Sequence, residues 1–364
     1  TAINNDCTLE AMAMPDNSVH LIHTSIPFSN HYEYTPSYND FGHNVGNDAF
    51  FRQMDFLTPE LLRILQPGRL AVIHVKDRIL FGNATGTGMP TVDPFSDMTV
   101  FHFIKHGFQY MGRITIETDV VRENNQSYRL GYTEKCKDGS KMGVGCPEYL
   151  LLFRKLPTDT GKAYADVPVV RTKDRYNRGN WQIDARAKWN SSGNRFLTQE
   201  ELRGLDIDKV NRIFYEFFDN CVYDYDTHVG AAVTLEKAGK LPATFETLRV
   251  PARSVWVWDD VNRMLTLNNN QTRKNLINHI CPLQFDVVDR VIKNWSNEGE
   301  AVFDPFAGIM TVPYRAVMLG RKGIATELNT EYWRDGLSYL RAAEMDAEVP
   351  TLFDVVECEM EKAV

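Results

Sequence analysis

Apolar positions along the first 155 residues fall in short β-rich runs separated by helical spacing. Candidate strands are Val19–Thr24, Leu70–Val75, Arg113–Thr118 and Tyr149–Arg154. Between the first two, Phe51, Met54, Leu57, Leu61, Leu62 and Leu65 recur at helical intervals, which predicts a helix over Asp48–Leu65 that Pro67–Gly68 ends. This βαβ rhythm implies a mostly parallel sheet covered by helices. It fades over residues ~157–270, which are polar, aromatic and irregular, and it then returns. A helix is expected at Phe285–Trp295, a strand at Ala301–Asp304, a helix at Val312–Leu319 and a strand at Gly323–Glu327. The pattern predicts one α/β sheet built from both ends of the chain, with a separate module inserted between them.

Composition refines this picture. A chain of 364 residues suits a large domain with an insertion, and 43% hydrophobic with 24% charged residues is ordinary globular composition. The net charge of −8 excludes a generic polyanion binder, so contact with nucleic acid has to come from a local patch. No window approaches the ~18 consecutive apolar residues of a membrane span, and no charged-then-apolar signal pattern opens the chain. The six cysteines show no CxxC pairing, as expected of reduced thiols in a cytoplasmic protein.

Two segments carry candidate chemistry. In residues 301–329, AVFDPFAGIMTVPYRAVMLGRKGIATELN, a strand ends in Asp304, a small-residue turn with Ala307–Gly308 follows, and a second strand ends in Glu327. Small residues let the backbone approach a ligand, and a carboxylate at a strand tip can accept both hydroxyls of a ribose. The other segment lies near the N-terminus: Asn5-Asp6-Cys7, then an apolar strand running into Thr24-Ser25-Ile26-Pro27-Phe28.

The stretch Asp304-Pro305-Phe306-Ala307-Gly308-Ile309-Met310-Thr311 resembles the D-P-F-x-G-x-G-T cofactor motif of amino-methylating DNA methyltransferases, with Met310 in place of the second glycine. Ser25-Ile26-Pro27-Phe28 is similar to the same family's D/N/S-P-P-Y catalytic tetrapeptide, with Ile26 and Phe28 as departures. The order of catalytic segment, insertion and cofactor segment is that of the permuted β class, and the wording resembles members carried by bacteriophages and prophages. The resemblance implies a doubly wound, seven-stranded Rossmann-like sheet with S-adenosylmethionine as cofactor. Asp6, His279, Pro282, Asp304, Phe306, Ala307, Gly308, Thr311 and Glu327 would line its pocket, with Asp6 beside the adenine.

An exocyclic amino group is a poor nucleophile because its lone pair is delocalised into the ring. Two acceptors taking its hydrogens would localise that pair toward the methyl donor. Ser25 offers a side-chain oxygen, Ile26 a backbone carbonyl, Pro27 a stiff turn and Phe28 a stacking face for the base. Displacement at a sulfonium methyl needs no metal, and none is expected.

The resemblance implies domains at 1–156 (catalytic half), 157–269 (target recognition), 270–345 (cofactor half) and a tail at 346–364. Residues 171–195 of the insertion hold seven Lys or Arg against two Asp. Arg171, Lys173, Arg175, Arg178, Arg186, Lys188 and Arg195 could neutralise phosphates, while Trp181 and Trp189 could stack on bases. Double-stranded DNA is the expected partner and a homodimer is left open. A catalytically impaired DNA-binding relative and an RNA methyltransferase stand as alternatives. His23 and His74 are expected to be core residues, Gly82–Gly88 a loop near the site, and Lys76–Asp77 either pocket lining or a surface pair.

Overall fold

The computed structural model describes residues 1–29, 32–118, 136–141, 146–185, 233–234, 236–239, 256–259, 261–263, 265–267 and 282–348. The chain divides into two compact units, Thr1–Val169 with Val261–Val364, and Val170–Asp260.

The larger unit begins with a two-residue strand β1 (Ala2–Ile3) and helix α1 (Cys7–Ala13). Strand β2 (Val19–Ser25), helix α2 (Gly46–Ile64) and strand β3 (Leu65–Lys76) form the first βαβ unit. A small hairpin of β4 (Arg78–Leu80) and β5 (Thr91–Asp93) encloses the one-turn helix α3 (Gly82–Thr85), so the glycine-rich stretch is part helix. Helix α4 (Phe95–Lys105) and strands β6 (Gln109–Ile116) and β7 (Glu148–Arg154) complete the N-terminal half. The smaller unit contains helix α5 (Arg178–Ala185) and strand β8 (Val257–Trp258). Helix α6 (Phe285–Trp295), strand β9 (Ala301–Asp304), helix α7 (Thr311–Met318), strand β10 (Lys322–Thr326) and helix α8 (Thr330–Glu348) follow.

The seven strands of the larger unit run in the order β1-β10-β9-β2-β3-β7-β6. All neighbours from β1 to β3 are parallel, whereas β7 runs antiparallel to both β3 and β6. Parallel strands put their C-terminal ends on one edge, where ligands bind in doubly wound sheets. There the chain leaves β1 toward Asp6, β2 at Ser25, β9 at Asp304 and β10 toward Glu327. Glu148 joins the same edge because antiparallel β7 pairs it with Lys76.

Alternation along the buried strands divides the core between two faces. Ile22, Ala71 and Ile73 join Phe50, Met54, Leu57 and Leu61 of α2 and Phe95 and Phe103 of α4 in one cluster. Phe103 stacks on Phe153 with ring centroids 4.4 Å apart. Helix α6, which also packs on β2 and β3, buries a separate set, Val287, Val288, Val291 and Ile292.

Residues 157–169 were expected in the insertion, yet they belong to the larger unit. The polar composition is real, but its backbone docks on the start of β3. Asp166 N–H donates to Pro67 O at 3.2 Å, and Arg69 Nη1 donates to Val167 O at 2.9 Å. Gly68 permits this approach: φ is +81°, and a Cβ there would lie 2.3 Å from Ala165 Cα. Residues 349–364 of the expected tail lie outside the described residues.

Candidate active site

One cleft of about 950 Å³ is lined by Ser25, Ile26, Pro27 and Phe28 from the end of β2 and by residues of both expected cofactor segments. Asp6 and Pro282 reach it, as do Asp304, Phe306, Ala307, Gly308, Thr311 and Glu327. His279 lies outside the described residues.

The wall formed by the ends of β9 and β10 is organised by backbone donors. Glu327 Oε2 accepts from Gly308 N–H at 2.8 Å and Oε1 accepts from Asn329 N–H at 2.7 Å. Each carboxylate oxygen keeps a second lone pair, so the pair can still accept two hydroxyls. Asp6 caps α1, its Oδ1 accepting from Thr8 N–H at 2.7 Å, and this fixes its carboxylate at the cleft wall. Asp304 is 2% exposed and accepts from Phe306 N–H at 3.0 Å.

Burial pushes the carboxyls of both Asp304 and Glu327 up to about 7. A raised carboxyl favours the fold when protonated, so these groups withdraw stability as pH rises from their ordinary values through about 7. A cationic ligand bearing a ribose would reverse this by favouring the ionised forms. Buried Asp304 and half-buried Glu327, beside a glycine turn, fit S-adenosylmethionine. Affinity for it should therefore rise with pH up to about 7 and then level off. Glu327→Ala should weaken binding by about 1.5–3 kcal/mol and flatten that rise. Calorimetry across pH values checks both; unchanged affinity with an intact fold would remove Glu327 from the site.

Met310 takes the left-handed conformation, φ +69° and ψ 34°, where the resembling motif has its second glycine. A left-handed Met costs on the order of 1–2 kcal/mol. Its side chain is fully buried, turned toward α8, where Gly336 leaves room; it does not line the cleft. A Cβ at Gly336 would fall 2.3 Å from Met310 Cγ. Gly336→Ala should thus destabilise the chain by about 1–3 kcal/mol through overpacking. Met310→Ala should recover part of that loss in the double variant, a coupling that urea unfolding would measure.

At the end of β2, Ile26 is 1% exposed and packs in the core while also lining the cleft. Phe28 is half-buried, its ring 6.3 Å from Phe95 edge-on and 6.2 Å from His74. Its carbonyl accepts from Arg78 Nη1 at 3.2 Å, and Arg78 pairs with Asp93 at 2.7 Å, which braces the loop. Ser25 Oγ lies 2.9 Å from His74 Nδ1, and His74 Nε2 lies 3.3 Å from Glu148 Oε2. His74 was expected only as a core residue; it is buried but stands directly behind the Ser25–Phe28 loop. Lys76 approaches Glu148 at 3.7 Å, while Asp77 Oδ1 accepts from Ser96 N–H at 2.8 Å.

A further cluster escaped the sequence reading. His102 and His106, four residues apart, meet Asp55 with their ligand atoms within 4.8 Å of one another. Asp55 Oδ1 there takes His106 Nε2 at 2.6 Å and Lys105 Nζ at 2.8 Å, so a cation already occupies the carboxylate.

In the smaller unit, Arg171, Lys173, Arg175, Arg178 and Trp181 are all exposed. Arg171 lies over the Tyr176 ring at 5.3 Å, and Tyr176 donates to Asp184 at 2.7 Å. Arg178 Nε sits 3.2 Å from Glu236. Arg186, Lys188, Trp189 and Arg195 lie outside the described residues.

The model of the N6/N4 DNA methylase family matches residues 19–338. The chain belongs to this family. Among curated relatives, the chain is 44% identical over 57 residues to the DNA adenine methyltransferase YhdJ of Escherichia coli (strain K12). That stretch is 16% of this chain and 19% of the relative. It is 51% identical over 41 residues to the orphan methyltransferase M.BamHII of Bacillus amyloliquefaciens, 11% of this chain and 16% of that one. These matches span less than a fifth of either relative's length. Among solved structures, TTHA0409 from Thermus thermophilus, in complex with S-adenosyl-L-methionine, aligns with a TM-score of 0.51 at 18% identity. The alignment covers 94% of this chain and 93% of that one, and it speaks for the fold of the methylase. Among the described residues, no helix is long and apolar enough to cross a membrane.

Proposed function

We propose that this methylase transfers a methyl group from S-adenosylmethionine to the exocyclic amino group of a base flipped out of duplex DNA, either N4 of cytosine or N6 of adenine. The observation that carries this reading is the shared cleft: the Ser25–Phe28 loop faces the Asp304 and Glu327 segments across one cavity. Bound there, the cofactor would supply an electrophilic methyl on a positively charged sulfur. Ser25 Oγ and the Ile26 carbonyl accept the two amino hydrogens, and Phe28 holds the base by stacking. Extrusion from the duplex costs a few kcal/mol, which the stacking partly offsets. The exposed basic side chains of the smaller unit, Arg171, Lys173, Arg175 and Arg178, suit phosphate contacts, and exposed Trp181 suits stacking. Recognition of the target by this unit, and residence in the cytoplasm, belong to the same reading.

Incubation with labelled cofactor and duplex DNA, single-stranded DNA or RNA, followed by mass analysis of the nucleosides, tests it. N4-methylcytosine or N6-methyladenine from duplex DNA is the expected product. Carbon-methylated cytosine would overturn the amino-transfer chemistry. Cofactor binding without transfer to any nucleic acid would favour a non-catalytic DNA-binding relative, and label in RNA alone would move the substrate class.

A further inference from the structure

Pairing across three strands aligns a chain of side chains behind the catalytic loop. Parallel β2 and β3 place Ser25 opposite His74, and antiparallel β3 and β7 place Lys76 opposite Glu148. The contacts run from Ser25 Oγ to His74 Nδ1 at 2.9 Å, then from His74 Nε2 to Glu148 Oε2 at 3.3 Å. Arg263 donates to the same carboxylate from its far side, at 2.6 and 3.1 Å. His74 and Glu148 are 7% and 6% exposed, so bulk water does not compete along this line.

The polarity of the chain follows from its last member. Burial alone would raise the Glu148 carboxyl, but hydrogen bonds from His74 and Arg263 outweigh it and hold the group well below the usual carboxylate range. An ionised carboxylate only accepts, so Nε2 of His74 carries a proton and Nδ1 is the ring atom that can accept from Ser25. Ser25 then donates its hydroxyl hydrogen to Nδ1. Its oxygen lone pairs are left for the cleft, the orientation an acceptor of an amino hydrogen needs.

We infer that His74, set by Glu148, holds Ser25 as an acceptor toward the base and takes up, through Ser25, the proton the amino group sheds on methylation. The inference rests on the reading that Ser25 faces the target base. As the new carbon–nitrogen bond forms, the methyl–sulfur bond breaks with its electron pair left on sulfur; the nitrogen becomes cationic, and one N–H bond breaks with its pair staying on nitrogen. That proton passes to Ser25 Oγ while the hydroxyl proton of Ser25 moves to His74 Nδ1. The imidazolium is balanced by Glu148 and returns its proton to water once product leaves. His74 touches Ser25 and not the base, so it is a positioning residue and proton acceptor at one remove.

The charged and titratable groups around His74 are Glu148 from β7, Arg263 and Lys76 beyond it, and His23 from β2. Burial lowers His23 to about 4, which keeps it neutral through the working range. The Phe28 ring closes the remaining side.

Single-turnover transfer to duplex DNA, measured against pH, tests the relay in the parent chain, His74→Asn and Glu148→Gln. Asparagine offers an oxygen near the place of Nδ1, so it can orient Ser25 but cannot take a proton. The parent rate should rise with pH to a plateau. His74→Asn should be at least ~100-fold slower and lose the rise, the scale of a lost general base, while calorimetry shows unchanged cofactor affinity. Glu148→Gln should move the rise to lower pH, because the imidazolium loses its counter-charge. An active parent matched in rate and pH profile by His74→Asn overturns the relay and leaves the proposed function standing. So does a parent rate that falls as pH rises through the neutral range, since imidazolium would then be the working form. A parent inactive on every nucleic acid overturns both readings. If His74→Asn fails to fold, the parent and Glu148→Gln profiles still decide.

Discussion

Arg69→Ala should destabilise the protein by about 3–5 kcal/mol at neutral pH, the scale of stranding one member of a buried ion pair. Arg69 and Glu300 are 2% and 9% exposed and pair through both guanidinium nitrogens, Nη1 to Oε1 at 2.8 Å and Nη2 to Oε2. They lie 231 residues apart, Arg69 in β3 and Glu300 just before β9, the two strands that flank β2. The pair therefore fastens the two halves of the chain on either side of β2. Burial alone would raise the Glu300 carboxyl, but Arg69 and the Asn297 donors outweigh it and lower it. A depressed carboxyl contributes stability above its unfolded value and loses it as pH falls through its folded one. Without Arg69 the burial penalty goes unanswered, so the loss should shrink as acid protonates Glu300. Urea unfolding at neutral and acid pH measures both quantities. Arg69→Met with Glu300→Leu should recover most of the loss, since an apolar pair leaves no charge stranded. A single-variant loss under ~1 kcal/mol, the range of exposed pairs, would show the bridge to be dispensable.

Legibility in the sequence followed the range of the interactions. Helices α2 and α6 and strand β9 stand in the apolar periodicity, since each buries one continuous face or run. The Ser25 and Asp304 segments were legible because each motif is contiguous and ends a strand. What stayed hidden depends on register or on length. Strand β1 has two residues, too few to show alternation, yet it places Asp6 beside the cleft by pairing with β10. Glu148 reaches His74 across 74 positions through an antiparallel return that no local pattern announces. The boundary at 157 misled for another reason: exposed polar side chains can ride on a backbone that is docked. Met310 stands out in the sequence as a departure from the resembling motif, but the space its side chain fills lies at Gly336, 26 positions on.

Ser25→Ala should slow methyl transfer by roughly 10²- to 10⁴-fold while cofactor affinity stays unchanged. In the proposed function the variant removes the acceptor of one amino hydrogen, and it cuts the contact to His74, whose Nδ1 lies 2.9 Å from Ser25 Oγ. Phe28→Ala should cost less at the chemical step, about 1–3 kcal/mol, the worth of one stacked base. Its ring is backed by Phe95 and His74 at 6.3 and 6.2 Å, so the ring and not the loop is what the truncation deletes. Arg78 still holds the carbonyl of residue 28 in that variant, because the contact is to backbone. The two losses should also differ in kind. Phe28→Ala should weaken DNA binding and be partly relieved at saturating DNA, whereas Ser25→Ala should persist there, since a group used only in the transition state lowers the saturated rate. Single-turnover transfer at rising DNA concentration separates the two. If both variants transfer at the parent rate under every condition, the chemistry does not happen at the end of β2, and the shared cleft is a cofactor site alone.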